Sequence, residues 1–522
     1  MPRSRSKPAL ESCRHSILTS SLSPHAESTG YRPYTNQQVL NAITGRRKHP
    51  PDAISRLQLD AFPAPLVLPG DAIDLDPKYP PQSFRSWLNE SMRNQVTSRQ
   101  NIVYIAAPPE IDRSVKFMEA WSRPNMKPST VPKRYAESRH LMANEQQAAI
   151  SCDKNVPDII NYLKAFYHGL KVKPLPTPLK FKSWDDSPNR NSKSKARKGI
   201  RTKSDAQAVA LSTDTEAVRI QVRRTPPSST DSPEHVYPYS HQLNLNDMTD
   251  VALSVLPPDA YALVLLTEHD MYESEDDDFC CGRAWGASRV AIVSSARYQP
   301  CLDRMHGVDR DHVWPTSHCA DFLESMSSVE NVTEPYERRQ STKRRRIDEA
   351  AQGQSPLDSS PLARAFESHN CVVASGQLSA VGLNSMFLFR LCRTVSHELG
   401  HCFGLDHCMY KACVMQGTAS VAEDMRQPPY LCPVCEAKIA WAVVGGHTAE
   451  SEAVGGSESA KAKRKKARHA GAQSDGEELD HLLANWKRER HVAMKRFCEQ
   501  YDDAFASLLA WSTAFLDASQ SE

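Results

Sequence analysis

The sequence predicts an α/β (α+β) fold with a mixed sheet, a long helix late in the chain and further helices after it. Strand-like segments at residues 102–106 and 261–266 alternate with helical segments at residues 158–169 and 245–256, an order that gives a sheet covered by helices. The run at 261–266 is almost continuously apolar, which is typical of a central strand buried on both faces. After residue 386 helical spacing dominates.

Local patterns justify the individual elements in chain order. The strand at 102–106 is followed by two prolines, and the helix at 158–169 carries its apolar residues on one face and ends at Gly169. The helix that begins at residue 386 extends to Gly404 and could be capped by Asn384 or Ser385. The remaining predicted strands are short and lie at residues 170–176, 218–222, 282–286 and 290–294.

Composition excludes several classes of protein. The chain has 522 residues, of which 40% are hydrophobic, below the roughly 45–50% of compact domains, so part of it is expected to lie outside any core. Lys and Arg number 64 against 62 Asp and Glu, so bulk charge does not predict a nucleic-acid partner. No apolar run approaches the ~18 residues of a membrane span, and residues 1–21 lack the apolar stretch of a secretory signal. We expect a soluble, intracellular protein, cytoplasmic or nuclear or both, that is not secreted.

Shifts in composition predict the domain organisation. Residues 1–100 are rich in Ser, Pro and Arg and are expected to be mostly flexible. A folded domain is predicted at residues 101–445, interrupted by polar, basic inserts at about 184–236 and 301–375, which are expected to be disordered. Residues 446–474 have the composition of a basic linker, and apolar residues at helical spacing predict a C-terminal amphipathic helix at 475–520.

A histidine pattern on the predicted late helix indicates a catalytic metal site. His397 and His401 lie four residues apart, on one helical face, so both can bind one ion. Glu398 lies beside the first ligand, where a base for a metal-activated water is needed. Gly404 allows the helix to end and the chain to reverse, so that His407 can supply a third nitrogen. Three ligands leave the fourth position of a tetrahedral zinc open. The alternative is an ordinary amphipathic helix with surface histidines.

Four cysteines directly after this pattern indicate a second metal site. Cys408, Cys413, Cys432 and Cys435 have the composition of a closed, structural Cys₄ zinc site. It would fix the loop that carries His407. Free cysteines in a core are the alternative interpretation.

Met415 lies two residues after Cys413 and could form an apolar floor beneath the histidines. An ordinary core methionine is equally compatible with the sequence.

These residues resemble one known family, the archaemetzincins of the metzincin clan of zinc peptidases. The similarity rests on the pattern HExxHxxGxxHC at 397–408, the cysteines that follow, and segments at 260–272, 293–300 and 423–431. It covers roughly residues 100–445. The resemblance implies a metzincin-like domain with two zinc ions per chain, one catalytic and one structural, with Glu398 as general base and Met415 as the residue of the Met-turn.

The functional hypothesis is hydrolysis of a peptide bond in a peptide or protein substrate by a zinc-activated water, with the substrate added as a strand near residues 282–286. A zinc-stabilised interaction module with weak or no peptidase activity is the alternative. Nucleic-acid binding through the basic runs at 193–203, 343–346 and 461–468 is disfavoured, because no aromatic residues interleave with them. We expect a monomer that does not bind membranes. The C-terminal helix is expected to pack on its own domain and could alternatively bind a partner.

Overall fold

The computed structural model describes residues 13, 15, 17–49, 58–125, 149–184, 209–213, 216–226, 237–328, 360–374, 379–445, 473–501 and 503–520. All three basic runs and nearly all of the predicted linker lie outside these residues. Within the described ranges, no helix combines the length and the apolar character that crossing a membrane requires.

The strands of the described residues are short, with one exception near the centre of the chain. In order they are β1 (Ile102–Ala106), β2 (Glu110–Ile111), β3 (Lys171–Pro174), β4 (Lys180–Ser183), β5 (Val209–Ser212), β6 (Ala217–Ile220), β7 (Val222–Arg224), β8 (His241–Asn244), β9 (Ala260–Thr267), β10 (Met271–Tyr272), β11 (Gly282–Trp285) and β12 (Val290–Ser294).

The α-helices occur along the whole described chain and become long towards its end. In order they are α1 (Pro24–Thr29), α2 (Asn36–Thr44), α3 (Ala72–Leu75), α4 (Phe84–Leu88), α5 (Val156–Phe166), α6 (Leu245–Ser254), α7 (Ala320–Ser328), α8 (Pro361–Ala374), α9 (Ala380–Cys402), α10 (Val421–Arg426), α11 (Pro433–Ala440), α12 (Gln473–Cys498) and α13 (Ala506–Gln520).

The central sheet is mixed, which confirms the predicted fold class. It has five strands in the order β11-β12-β9-β1-β3. The four strands from β12 to β3 are parallel to one another, and β11 pairs antiparallel with β12 at the edge. Two smaller sheets have the orders β10-β8-β7 and β2-β4-β5-β6. Strand β11 therefore lies at an edge of the central sheet, and it contacts helix α9, which carries two of the predicted metal ligands.

Strand β9 separates two apolar cores. Every residue of this strand is buried, as its continuous apolar sequence predicts. Val264 and Leu266 belong to a core that also contains Leu391 and Val395 of α9, whereas Leu263 and its neighbours on the opposite face pack in a second core with α6. The helix with the histidine pattern is therefore held against one face of the sheet.

Helix α9 is longer than the sequence predicted. It begins at Ala380, where the Ser379 hydroxyl accepts a hydrogen bond from the amide of Gly382. The predicted caps Asn384 and Ser385 lie inside the helix. The carboxyl end agrees with the prediction, because Gly404 has a φ of 76°, in the left-handed region that favours glycine.

The described residues of the N-terminal region differ from the expectation that residues 1–100 are mostly flexible. They contain α1 to α4, and Trp87 is fully buried, with its indole N–H donating to the carbonyl oxygen of Phe403 at 2.9 Å. Phe62 is also buried and contacts Tyr430 and Trp511 edge to face. These partners are more than 300 positions away in the sequence, so local composition could not reveal them.

The two inserts and the tail also differ in part from the expectation. Strands β5, β6 and β7 lie within the insert at 184–236, and helices α7 and α8 lie within the insert at 301–375. The predicted single helix at 475–520 is two helices, α12 and α13, separated by a turn around the buried Phe505. Both tail helices pack on the chain itself, α12 against α5 and α13 against α8.

Candidate metal centres

Helix α9 and the turn after it bring the three predicted histidines together. The Nε2 atoms of His397 and His401 are 3.1 Å apart. The turn at Gly404 returns the chain, so that one ligand nitrogen from each of the three histidines, His407 included, lies within 4.8 Å of the others. A Cβ atom at Gly417 would come within 2.8 Å of the His407 ring, so the absence of a side chain there provides room for the third imidazole.

Hydrogen bonds orient two of the imidazoles. The Nδ1 of His397 lies 2.6 Å from the carbonyl oxygen of Val414, and the Nδ1 of His401 lies 2.7 Å from that of Leu405. A carbonyl oxygen only accepts, so each Nδ1 carries the proton and each Nε2 lone pair faces the other histidines. These orientations fit a metal ion bound by three imidazoles.

Burial keeps the three rings neutral. Desolvation lowers the pKa of His397 and His401 below the ordinary histidine value and lowers that of His407 to about 4, and the neighbouring histidines act in the same direction at His397 and His407. Neutral imidazole is the form that binds a metal ion. The site can therefore take up a metal at neutral pH without first losing protons.

Glu398 lies in the same cleft and contacts the edge of the sheet. Its side chain is 7% exposed, and a Cβ atom at Gly282 of β11 would come within 2.8 Å of its Oε1. Burial raises the pKa of this carboxyl to about 8; Arg283 opposes that rise and Asp424 adds to it. A carboxylate with a pKa near neutrality has the proton affinity that a general base needs.

Met415 packs against the helix between the first two histidines. It is fully buried, and a Cβ atom at Gly400 would come within 2.4 Å of its Sδ. The thioether therefore occupies the space that a larger residue at position 400 would fill. Gly400 lies between His397 and His401 in the sequence, so Met415 packs on the turn of the helix that carries both histidines.

The four predicted cysteines form a buried cluster. Their sulfur atoms lie within 4.8 Å of one another, and the sulfur atoms of Cys408 and Cys432 are 3.5 Å apart. The Cys413 sulfur accepts hydrogen bonds from the amides of Cys432 at 3.2 Å and Met415 at 3.5 Å. Four buried thiols with amide donors to sulfur fit a closed, four-coordinate metal site.

The two candidate centres are joined by the backbone. His407 and Cys408 are consecutive, and the Cys408 amide donates to the carbonyl oxygen of Met415 at 2.7 Å. The loop that carries the third histidine therefore leads directly into the cysteine cluster.

The histidines and Glu398 line a cleft of about 970 Å³. Its walls include edge-strand residues such as Gly282 and Arg283, and also Tyr79, Gln82 and Glu90 from the N-terminal region. Sequence reasoning missed these last three residues. They lie more than 300 positions before the histidine pattern, and neither their type nor their spacing carries a signal.

Gln82 is the most connected of the missed residues. Its Nε2 donates to the carbonyl oxygen of Gly404 at 2.9 Å, and its Oε1 accepts from the amide of Asp406 at 3.1 Å. The buried Lys438 ammonium donates to the Gln82 backbone carbonyl at 2.6 Å and to Oε1 at 2.7 Å. Gln82 therefore holds the turn between His401 and His407 in place.

Comparison with known proteins shows which family this chain is similar to. Residues 377–440 match the model of Peptidase family M54. Archaemetzincin-2 of Homo sapiens is 26% identical over 202 residues, which cover 39% of this chain and 42% of the human protein. Archaemetzincin-2 of Macaca fascicularis is 48% identical over 61 residues, 12% of this chain and 17% of that protein.

Part of this chain is similar in sequence to the archaemetzincins. The resemblance inferred from the histidine and cysteine pattern is thereby confirmed. Among solved structures, the archaemetzincin of Methanopyrus kandleri aligns with a TM-score of 0.26 and 14% identity over 66% of this chain and 97% of that chain. The chain spans less than half the length of the human and mouse archaemetzincins that it matches.

Proposed function

We propose that this protein is a zinc-dependent metallopeptidase that hydrolyses peptide bonds with Glu398 as general base. One observation carries the proposal: three neutral imidazoles and a buried carboxyl share one cleft beside an edge strand. Relationship to a peptidase family supports the same assignment.

His397, His401 and His407 would hold the zinc ion. When bound there, zinc supplies a Lewis acid that lowers the pKa of a water molecule towards ~7 and polarises a carbonyl group. Glu398 accepts the proton of the attacking water and returns it to the departing amine. Burial of Glu398 excludes bulk water from the carboxylate, which strengthens its interaction with that proton.

The substrate would bind as an added strand. Strand β11 is at the edge of the central sheet and pairs on its other side with β12. An extended peptide can pair with such an edge through its backbone, independently of its side chains. Because Gly282 of β11 contacts Glu398, a peptide bound along this strand has its backbone close to the base.

The test is Glu398→Gln, measured with a library of fluorogenic peptides on the zinc-loaded protein. General-base catalysis contributes about 10²–10⁴-fold, so we expect a loss of that size with zinc content unchanged. Glu90→Gln is the matched control, because Glu90 lines the same cleft but is exposed. Equal activity in Glu398→Gln and wild type would contradict the assignment of the base.

We also propose that each of the two clusters holds one zinc ion. His401→Ala is expected to lower the zinc content by one ion per chain and leave the cysteine cluster filled. The interaction-module alternative predicts zinc in the cysteine cluster, and no cleavage of any library peptide by wild type. Elemental analysis and peptide cleavage together therefore separate the two functions.

A further inference from the structure

A third group of metal-ligating side chains lies away from the two centres already described. One ligand atom from each of Cys13, His15 and His312 lies within 4.8 Å of the others. The Cys13 sulfur also lies 3.5 Å from the sulfur of Cys319, and these two cysteines form an overlapping group with Asp321. Cys13 is common to both groups, so it is the centre of this cluster.

Two distances, one within each of these overlapping groups, match those that one tetrahedral zinc ion imposes. Zn–N bonds of about 2.05 Å and Zn–S bonds of about 2.3 Å place two nitrogens about 3.3 Å apart and two sulfurs about 3.8 Å apart. The Nε2 atoms of His15 and His312 are 3.3 Å apart, and the sulfurs of Cys13 and Cys319 are 3.5 Å apart. The corresponding distances in the two centres above are 3.1 Å and 3.5 Å.

The surroundings orient the ligands as a metal site does. The Nδ1 of His312 lies 2.6 Å from a carboxylate oxygen of Asp309; this contact fixes the proton on Nδ1 and directs Nε2 towards His15. The His312 ring stacks on Phe322 with the ring centroids 4.1 Å apart. Cys319 is fully buried in an apolar cluster that includes Leu323 and Phe366. A carboxylate behind the histidine and an apolar shell are both typical of zinc sites.

We propose that Cys13, His15, His312 and Cys319 bind a structural zinc ion. Cys319 lies 3.5 Å from Cys13 but outside the group that Cys13 forms with the two histidines, so its thiol would approach the histidines when the ion binds. It is preferred to Asp321 as the fourth ligand because it is buried whereas Asp321 is exposed, and because two thiolates with two imidazoles form a set that selects zinc. Four protein ligands leave no open position. This site would therefore stabilise the fold and take no part in hydrolysis.

The ion would fasten the N-terminal segment to a wall of the cleft. Residues 17–19 pair with residues 318–320 through two backbone hydrogen bonds of 2.9 Å. The Ser317 hydroxyl donates to the carbonyl oxygen of Arg426 at 3.1 Å, and the Trp314 amide donates to that of Met425 at 3.0 Å. Both acceptors belong to α10, whose first turn lines the cleft.

The test is the zinc content of the full chain in wild type, Cys13→Ser and His312→Ala. Each variant is expected to hold one zinc ion fewer per chain than wild type. Cys371→Ser is the control, because Cys371 is an exposed cysteine of α8, and it should retain the wild-type content. Unchanged zinc in both cluster variants would overturn the proposal.

A second measurement on wild type covers the case in which the variants do not fold. Mass spectrometry should find Cys13 and Cys319 protected from alkylation until a chelator is added. Alkylation of Cys13 at the same rate with and without the chelator, or a disulfide between the two cysteines, would overturn the proposal.

The third site is independent of the proposed peptidase function. The double variant His401→Ala with Cys13→Ser should hold two zinc ions fewer than wild type. A peptidase assay that fails with wild type would leave this difference in zinc content unchanged.

Discussion

At the scale of single residues, the cleft depends on a glycine opposite the Glu398 carboxylate. A Cβ atom at position 282 would lie 2.8 Å from Oε1 and 2.9 Å from Cγ of Glu398, closer than atoms can approach. We expect Gly282→Ala to displace the Glu398 carboxylate and lower kcat by at least about 10²-fold, the lower range of a general base, with zinc content unchanged. Steady-state kinetics and elemental analysis check both parts.

Ala284→Ser is the matched control for this glycine. Position 284 is also in β11 and is partly exposed, so a small added hydroxyl leaves the Glu398 side chain in place. Full activity in Gly282→Ala would mean that Glu398 need not occupy its present position.

Gln82 holds the turn between His401 and His407 through contacts that no local sequence pattern predicts. Its removal leaves the buried Lys438 ammonium with one acceptor fewer, and a hydrogen bond to a charged group contributes about 1.5–3 kcal/mol. We expect Gln82→Ala to lower the free energy of unfolding by about 2 kcal/mol and to speed the loss of one zinc ion to a chelator. Denaturant unfolding and chelator kinetics measure the two effects.

Asn89→Ala is the control for Gln82→Ala. Asn89 is exposed, and its amide donates to the nearby carbonyl oxygen of Arg85, so its removal should leave zinc release at the wild-type rate. If Gln82→Ala also released zinc at the wild-type rate, the turn between His401 and His407 would be stable without the Gln82 contacts.

The site divides into a part that the sequence could predict and a part that it could not. His397, His401 and Glu398 lie within one helical turn, so spacing alone places them together. Gln82 and Tyr79 reach the same cleft only because the N-terminal region packs on the turn after α9. Long-range packing of this kind leaves no periodic trace in the sequence.

At the scale of elements, a buried ion pair joins α11 to the tail helix α12. Glu436 is 4% exposed, and its Oε1 accepts from Arg490 at 2.9 Å and lies 2.9 Å from Nε2 of His491. Burial alone would raise the pKa of Glu436, but His491 and Arg490 outweigh it and lower the pKa to about 2 from its ordinary 4.5.

This pKa sets a pH dependence of stability. Because the folded-state pKa is lowered, the pair stabilises the fold fully above about pH 4.5, and that stability is lost as the pH falls towards about 2. The difference amounts to a free energy on the order of 3 kcal/mol. We expect Glu436→Gln to be less stable than wild type by that order at pH 7, with the gap closing below pH 4.5 in urea unfolding.

Glu489→Gln on the same helix is the control, because Glu489 is half exposed and an exposed pair contributes about 0–1 kcal/mol. A gap between Glu436→Gln and wild type that stays constant from pH 7 to pH 3 would contradict the lowered pKa.

Long helices and strands with a clear sequence pattern were predicted more accurately than the ends of helices and the breaks between them. Strand β9 was predicted from its long, continuous apolar run, and helix α9 from residues at helical spacing. The caps of α9 and the break between α12 and α13 were predicted wrongly. Ser379 and Ser385 are chemically equal as caps, and Phe505 fits a continuous helical stripe as well as it fits the buried turn between two helices.

At the scale of the whole molecule, the N-terminal region is part of the folded core. Trp87 is fully buried against the carboxyl end of α9, and removing such a side chain costs about 3–5 kcal/mol. We expect Trp87→Ala to lower the free energy of unfolding by that amount, and a chain beginning at residue 101 to unfold or aggregate. Circular dichroism melts and light scattering measure these outcomes.

Leu75→Ala is the control for Trp87→Ala, because Leu75 is 70% exposed and surface changes stay within about 0.5 kcal/mol. A chain from residue 101 that melts as cooperatively as the full chain would show that the N-terminal region is a separate unit.

The direct succession of His407 and Cys408 limits how this protein can vary in length. Neighbouring Cα atoms are about 3.8 Å apart, so one inserted residue would move His407 away from its two partner histidines while the cysteines kept their places. Surface loops elsewhere in the chain can lengthen without such an effect. No residue separates the third histidine from the first cysteine, so the chain cannot absorb an inserted residue there. We therefore expect related sequences to differ at this point by substitution and never by insertion or deletion.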